Sequence, residues 1–432
     1  MSQADVVVVG AGITGLTCAY RLQKLGIKTL VLESGNRVGG VIRSERINGH
    51  LVEWGPTSLL PTPHTFSLLE ELGLDDTLQQ ANPKSPRYVV VRGRLRVAPL
   101  GPLSVTGILR GMAEPFIRSK SQNDESVARF FRRRFGSEIH DRLVAPFVTG
   151  IFAGNTESLS VGAVFPRVLD IEREHGSVVW GMLTGKGKRK ANGKNTPQRR
   201  STISSFPEGM EVLPRRIAAG LTIQTQCSGV RIGRDVQARA TVLAVPAYVA
   251  AEILADTHPE VAALLGEVEY APVVVATTSI PLDSLQRPLD GFGFLVPQSE
   301  RLAILGTIFS SLLFSGRAPQ GRLLLTSFLG GVNKPEVFDW PDERIWESVG
   351  SELKRILKTS LRPEPVAIFR HRRAIPQYNI GHRQRVDAIA SELARIGGLF
   401  VTGNFLHGVS VPACMEHGDN TATAVSEFLR NS

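Results

Sequence analysis

Cysteine is scarce. The 432 residues hold three, Cys18, Cys227 and Cys414, far apart in the chain, with no CxxC and no Cys/His pair at ligand spacing. A disulfide scaffold and a zinc module are excluded, and a reducing, cytoplasmic setting fits. Aromatics make up only 6%, and no RNP, helix-turn-helix or finger pattern occurs, which excludes nucleic acid as the expected partner. No apolar run reaches the roughly 18 residues a spanning helix needs. The chain enters a strand-like run at once, so no signal peptide is expected. The nine His are not spaced as metal ligands or as members of a triad, His382 and His407 included, and the Ser-rich spots lack a nucleophile elbow. Metal and hydrolase chemistry drop out. Acidic residues are outnumbered 40 to 50, a net charge of +10. Such a field draws anions: nucleic acid, acidic lipid or a polycarboxylate.

What is present is an ordinary globular balance, 42% hydrophobic and 21% charged. At roughly 150 residues per domain this length predicts two to three domains. Asp5–Val9 reads as a buried parallel strand. Gly10-Ala11-Gly12-Ile13-Thr14-Gly15 follows, then a helical stretch to Leu25, a stop at Gly26, and a second strand over residues 27–32. Gly10, Gly12 and Gly15 carry the GxGxxG spacing. These glycines allow a tight turn, close approach of backbone to a pyrophosphate, and close helix–strand packing, with the helix N-terminus facing the phosphates. Glu33 follows at the end of the second strand, where a carboxylate accepts ribose hydroxyls. The second glycine pair, Gly39-Gly40, argues for FAD over NAD. Glu53-Trp-Gly-Pro-Thr-Ser58 is a further tight turn that could abut the flavin.

Farther along, Tyr88 to about Pro166 reads as mostly helical and basic. Residues 185–200 read as a basic surface loop. Leu213–Leu221 suggests a helix, with strands at Thr222–Gln226 and Ala240–Val245. Apolar runs at Val273–Thr277, Phe292–Val296, Leu302–Thr307 and Leu323–Leu329 predict a β-rich region. A last strand, Leu399–Thr402, precedes Gly403-Asn404 and a helix from about Met415 to Leu429. The expected fold is α/β, a discontinuous Rossmann-like FAD-binding domain (1–60, 203–250 and 385–432). A mixed β-sheet substrate domain (61–90 and 251–384) and a helical, basic, membrane-associating domain (91–202) complete it.

The chain resembles the FAD-dependent oxidases of the amine oxidase and phytoene desaturase superfamily, and within it the protoporphyrinogen and coproporphyrinogen oxidases. The likeness runs nearly end to end. It rests on Val6–Leu16, Leu32–Ser44, Glu53–Ser58, Gly150-Ile-Phe-Ala-Gly-Asn155, Leu159–Pro166, Gly291–Pro297, Ile375-Pro-Gln-Tyr-Asn-Ile-Gly-His382, Gly403-Asn404 and Gly408-Val-Ser-Val411. The resemblance implies FAD contacts from Gly10, Ala11, Gly12, Ile13, Thr14, Gly15, Glu33, Ser34, Val41, Gly55, Pro56, Thr57, Ser58, Val230, Asn404, Val409, Ser410 and Val411. It implies that Arg87 pairs with a substrate carboxylate and that Gly150, Leu295 and Phe328 line the substrate slot. No side chain is implied as a catalytic acid or base, because flavin N5 does the chemistry.

The implied reaction is oxygen-dependent oxidation of a porphyrinogen, six electrons in three flavin cycles, in heme biosynthesis. Protoporphyrinogen and coproporphyrinogen both remain open. So do a flavin amine oxidase, a carotenoid desaturase and a non-catalytic porphyrin carrier. An anionic membrane surface is an expected partner, and a homodimer is left open. Two departures stand out. Thr57 occupies a place where the family often carries Arg, and about nine residues separate Val230 from the next strand where the family usually spends more.

Overall fold

Four consecutive valines are buried on both faces only inside a parallel sheet, and that is where Val6–Val9 lies. The computed structural model describes residues 4–117, 124–184, 201–231 and 238–432. Val6–Val9 sits at the centre of a five-stranded, all-parallel sheet. The order is Leu399–Val401, Ala240–Leu243, Val6–Val9, Thr29–Leu32, Thr222–Gln224. Its two faces divide by strand alternation. Val6 and Val8 pack under the Ile13–Lys24 and Val411–Asn431 helices, while Val7 and Val9 pack against Ala247–Leu254 and Pro259–Gly266.

Two glycines permit this packing. A Cβ on Gly15 would stand 2.1 Å from the Gly10 carbonyl oxygen. One on Gly418 would stand 2.4 Å from the Thr14 carbonyl oxygen. The first and last long helices therefore cross backbone to backbone.

A second sheet has seven strands in the order Glu364–Pro376, Tyr270–Pro281, Arg322–Gly330, Ile304–Phe309, Gly293–Leu295, Arg87–Val91, Arg94–Val97. All its neighbours run antiparallel except Gly293–Leu295 beside Arg87–Val91. The amphipathic helix Asp342–Leu357 covers one face, burying Ile345, Val349 and Leu353 against Val90, Val274 and Leu325. The other face looks toward the hairpin of Ser44–Ile47 and His50–Glu53 and toward Ala153.

The structure corrects the reading of Tyr88 onward. Residues 87–97 are a β-hairpin at the edge of the second sheet, not helix, and helices begin at Val105. The crowd of Arg there masked an alternating strand, whose Val89 and Val90 are buried while Arg94 and Arg96 face solvent. The last helix starts at Val411, four residues ahead of the expected Met415. Glu364–Pro376 and Asp342–Leu357 had no expectation attached. The basic stretch 185–200, with Arg118 and Lys120, lies outside the described residues.

Candidate functional site

The strand Val6–Val9 ends at Gly10, whose φ of +105° only glycine adopts comfortably. The Ile13–Lys24 helix begins at Gly12 with no side-chain cap, so its first N–H groups are left without an internal acceptor. A Cβ on Gly12 would meet nothing within 4 Å. The N-terminus of this helix thus opens into free space with its positive end exposed. Gly40 comes up against it, its Cβ position 3.3 Å from the Gly12 Cα, and Gly39 N–H donates to the Ala11 carbonyl at 2.8 Å.

Glu33 accepts from Ala11 N–H and from Gly35 N–H, each at 2.8 Å. Its carboxylate shapes the loop, and its other lone pairs remain for hydroxyl donors. Ser34 and Val41 are exposed. Gly55 lies against Val41, where a Cβ would be 2.5 Å from the Val41 carbonyl oxygen. The segments 10–15, 39–41 and 55–58 are therefore in direct contact. Val409–Val411 joins them through the Val411–Asn431 helix. Ser410 caps that helix by accepting from Ala413 N–H at 3.3 Å. Gly418 crosses it over Thr14. Val230 is partly buried in the cluster of Val7, Val9 and Leu243, on a segment whose Cys227 N–H donates to the Glu33 carbonyl at 2.9 Å.

Two side-chain systems hold the loops. The first is a buried ion pair. Glu53 Oε1 accepts from Arg317 Nη1 at 2.6 Å, and the pair is 4% and 2% exposed. Glu53 also accepts from Ser44 Oγ at 2.5 Å and Met210 N–H at 3.0 Å, and Arg317 Nη2 donates to Ser205 Oγ at 2.5 Å. Burial pushes the Glu53 carboxyl upward, and the Arg317 charge and Ser44 hydroxyl oppose this. Ser205 Oγ donates on to the Thr57 carbonyl at 3.2 Å.

The second system joins the Ile375–His382 stretch to the Gly150–Asn155 stretch and to residues 404–408. Tyr378 hydroxyl donates to the Asn404 carbonyl and accepts from Gly408 N–H at 2.6 Å. Its ring stacks on His382 at 4.2 Å between centroids, and His382 Nε2–H donates to the Leu406 carbonyl at 3.1 Å. Burial pushes His382 down to about 4, so it is neutral at pH 7. Gln377 amide donates to the Phe152 carbonyl at 2.9 Å. These structural roles for Tyr378, Gln377 and Arg317 were not legible in the sequence. The IPQYNIGH stretch signalled that something there mattered, without saying what.

The second sheet supplies a wall. Phe369, Val275, Phe328, Gly306, Leu295 and Val89 stand opposite one another across six strands. Opposed residues share a face, so this is one apolar row. Trp54 stacks on Phe369 at 4.1 Å, closing one end. At the other, Leu295 leans between two glycines: its Cδ2 would be 2.7 Å from a Cβ on Gly150 and 3.1 Å from one on Gly306. Leu295 and Phe328 are half-buried, and Phe147, Gly150 and Ile151 of the Ala145–Phe152 helix are exposed beside them. Arg87 is exposed at the rim, 5.6 Å from the Phe292 ring centroid. The three expected slot residues and Arg87 thus come together on adjoining strands and the facing helix.

Residues 13–426 match the family model for flavin containing amine oxidoreductases. The chain is 33% identical to protoporphyrinogen oxidase 1 of Spinacia oleracea chloroplasts, over 98% of this chain and 84% of that one. It belongs to the flavin-containing amine oxidoreductases, among relatives that are protoporphyrinogen and coproporphyrinogen oxidases. Coproporphyrinogen III oxidase of Bacillus subtilis (strain 168) is 28% identical over 98% of this chain and 97% of its own. A solved structure from Exiguobacterium sp. 255-15, assigned as a protoporphyrinogen oxidase, superposes with a TM-score of 0.83 at 25% identity, covering 100% of both chains. The cofactor is FAD. The glycine-lined space at Gly12, the uncapped helix N-terminus and Glu33 fit its diphosphate and ribose.

Arg317→Ala would leave Glu53 buried and unpaired. The expected loss is about 3–5 kcal/mol of stability, read as a lower denaturation midpoint with early release of flavin. An unchanged midpoint would show that the pair carries no such weight.

Proposed function

We propose that this chain oxidises a propionate-bearing porphyrinogen to the porphyrin, with dioxygen as terminal acceptor. The observation that carries this is the apolar row from Phe369 to Leu295, ended by Arg87 at its rim. A flat, greasy macrocycle with acidic arms fits such a wall; a neutral amine or an uncharged polyene has no use for the arginine. The names of the plant and bacterial relatives support the same reading.

Bound FAD supplies the two-electron acceptor. The chain's own work is placement. Arg87 holds a propionate by a charge-assisted hydrogen bond. Leu295 and Phe328 press on one face of the macrocycle, and Gly150 keeps the helix wall close enough to exclude water. The positive N-terminal end of the Val411–Asn431 helix, ordered by Ser410 and the Tyr378–His382 stack, would lie by the flavin ring and favour negative charge there. Aromatisation drives the reaction, so no side-chain base is called for. Near-attack distance at the reacting carbon, about 3–3.5 Å, is what the slot must supply. In this reading the parallel-sheet segments form the FAD-binding domain and the seven-stranded sheet the substrate domain.

The helical segment supports peripheral attachment to an anionic membrane. Val105, Leu109 and Met112 fall on one face of the Val105–Met112 helix and are exposed, as are Phe116 (84%), Trp180 and Leu183. Beneath them the charges are inside: Arg134, Glu114 and Glu172 are fully buried, with Arg134 2.8 Å from Glu114 and 3.2 Å from Glu172. Apolar residues outside and ion pairs inside invert the usual arrangement and suit an interface with lipid. Among the described residues no helix is long and apolar enough to cross a membrane.

An aerobic assay with protoporphyrinogen and coproporphyrinogen in turn, read by porphyrin fluorescence, tests the activity. Arg87→Ala is expected to raise KM about 10- to 100-fold with a smaller change in kcat; no fluorescence from either substrate would refute the reading. In flotation assays the protein should rise with anionic liposomes and less with neutral ones, and Leu109→Asp with Phe116→Asp should abolish the effect. Equal recovery of wild type and variant would remove the membrane.

A further inference from the structure

The turn of the Arg87–Val97 hairpin meets the end of the Asp342–Leu357 helix at a groove of about 410 Å³. It is lined by Arg92, Gly93, Arg94, Glu300, Arg355 and Lys358. Four cations thus face one carboxylate. Glu300 is already committed: its Oε1 accepts from Arg92 N–H at 2.6 Å and its Oε2 from Gly93 N–H at 2.9 Å. It clamps the turn in place, and three net positive charges remain. Glu352, one turn before Arg355, is committed likewise, to Ala303 N–H at 2.8 Å and Ile304 N–H at 3.1 Å. Among the described residues, the side chains of Arg92, Arg94, Arg355 and Lys358 make no ion pair, hydrogen bond or ring contact.

Part of this has a plain cause. Arg355 and Lys358 lie at the C-terminal end of the helix, where cations answer the macrodipole. Arg92 and Arg94 have no such reason. The hairpin brings them to the two cations of the helix, with Glu300 fixing the turn so that they converge. Unanswered like charges repel one another, so a fixed array of them is suited to an anion supplied from outside.

The lining names the class of anion. Three of the four cations are guanidinium groups, whose forked donors match phosphate oxygens. No aromatic or apolar side chain lines the groove, so it offers nothing to a nucleobase or to the face of a porphyrin. It is roomier than one phosphate needs. None of its lining residues belongs to the slot at Leu295; it is built at the turn of the hairpin and the C-terminal end of the covering helix, and it is separate from that slot.

We propose that this groove binds a soluble polyphosphate, several linked phosphate groups lying along Arg92, Arg94, Arg355 and Lys358. The exposed apolar residues belong to the helical segment that follows the hairpin, which favours a free anion over a lipid headgroup. Calorimetric titration of the flavin-loaded protein with tripolyphosphate tests it. One binding site is expected, weakening as salt rises. R92E/R94E should lose affinity about tenfold or more, and R355A/K358A, which leaves the turn alone, should lose it in the same direction. R287E/R430E, an equal charge change outside the groove, should not. Retained flavin confirms that each variant is folded. No binding of tripolyphosphate, or equal loss in the control variant, would overturn the proposal. So would a groove variant that loses binding to phosphatidylcholine vesicles carrying a polyphosphoinositide while keeping tripolyphosphate.

Discussion

The Glu53–Arg317 pair is the joint on which the rest depends. Its members are 264 positions apart and almost wholly out of water. Neither could be left alone there, because an unpaired buried charge costs several kcal/mol. The pairing fixes three chain segments at once: Ser44 and Glu53 of the small hairpin, Ser205 to Met210, and Arg317 ahead of the strand Arg322–Gly330. The hairpin leads straight into the 55–58 turn, and the strand after Arg317 carries Phe328 of the apolar row. One ion pair therefore sets the distance between the 55–58 turn and the apolar wall of the second sheet.

The Tyr378–His382 stack does the corresponding work on the far side. It grips the chain at Asn404, Leu406 and Gly408, just before the Val411–Asn431 helix. Both systems use buried polar groups that are almost fully satisfied, which gives rigidity where small displacements would be felt in the rate. The helical layer uses buried charge for another purpose. With Arg133, Arg134, Glu114, Glu125 and Glu172 holding its helices together from inside, its apolar side chains are released to the surface.

The parallel sheet and its glycine turn were legible because each rests on local chemistry: a run of valines, glycines at fixed spacing, an acid at the next strand end. The same holds for the strands near Val273, Leu302 and Leu323, where apolar runs are long. The hairpin at 87–97 was hidden because its outward positions are arginines, and charge density was read as helix. Glu364–Pro376 was missed for a similar reason, with Arg370, His371, Arg372 and Arg373 breaking its apolar pattern. Arg317 could not be singled out at all. Its partner lies far off in sequence, and nothing near it distinguishes it from the other basic residues of a positively charged chain. The polar joints of the site are long-range by nature, and only the folded chain shows them.

The central claim is that a porphyrinogen lying on the Leu295–Phe328 wall passes electrons to the FAD held by the 10–15, 39–41 and 55–58 loops. Anaerobic rapid mixing of the yellow protein with a porphyrinogen tests it most directly. The account predicts that the flavin absorbance bleaches in a single turnover while porphyrin fluorescence rises in step. A flavin that keeps its colour in the presence of excess porphyrinogen would contradict it.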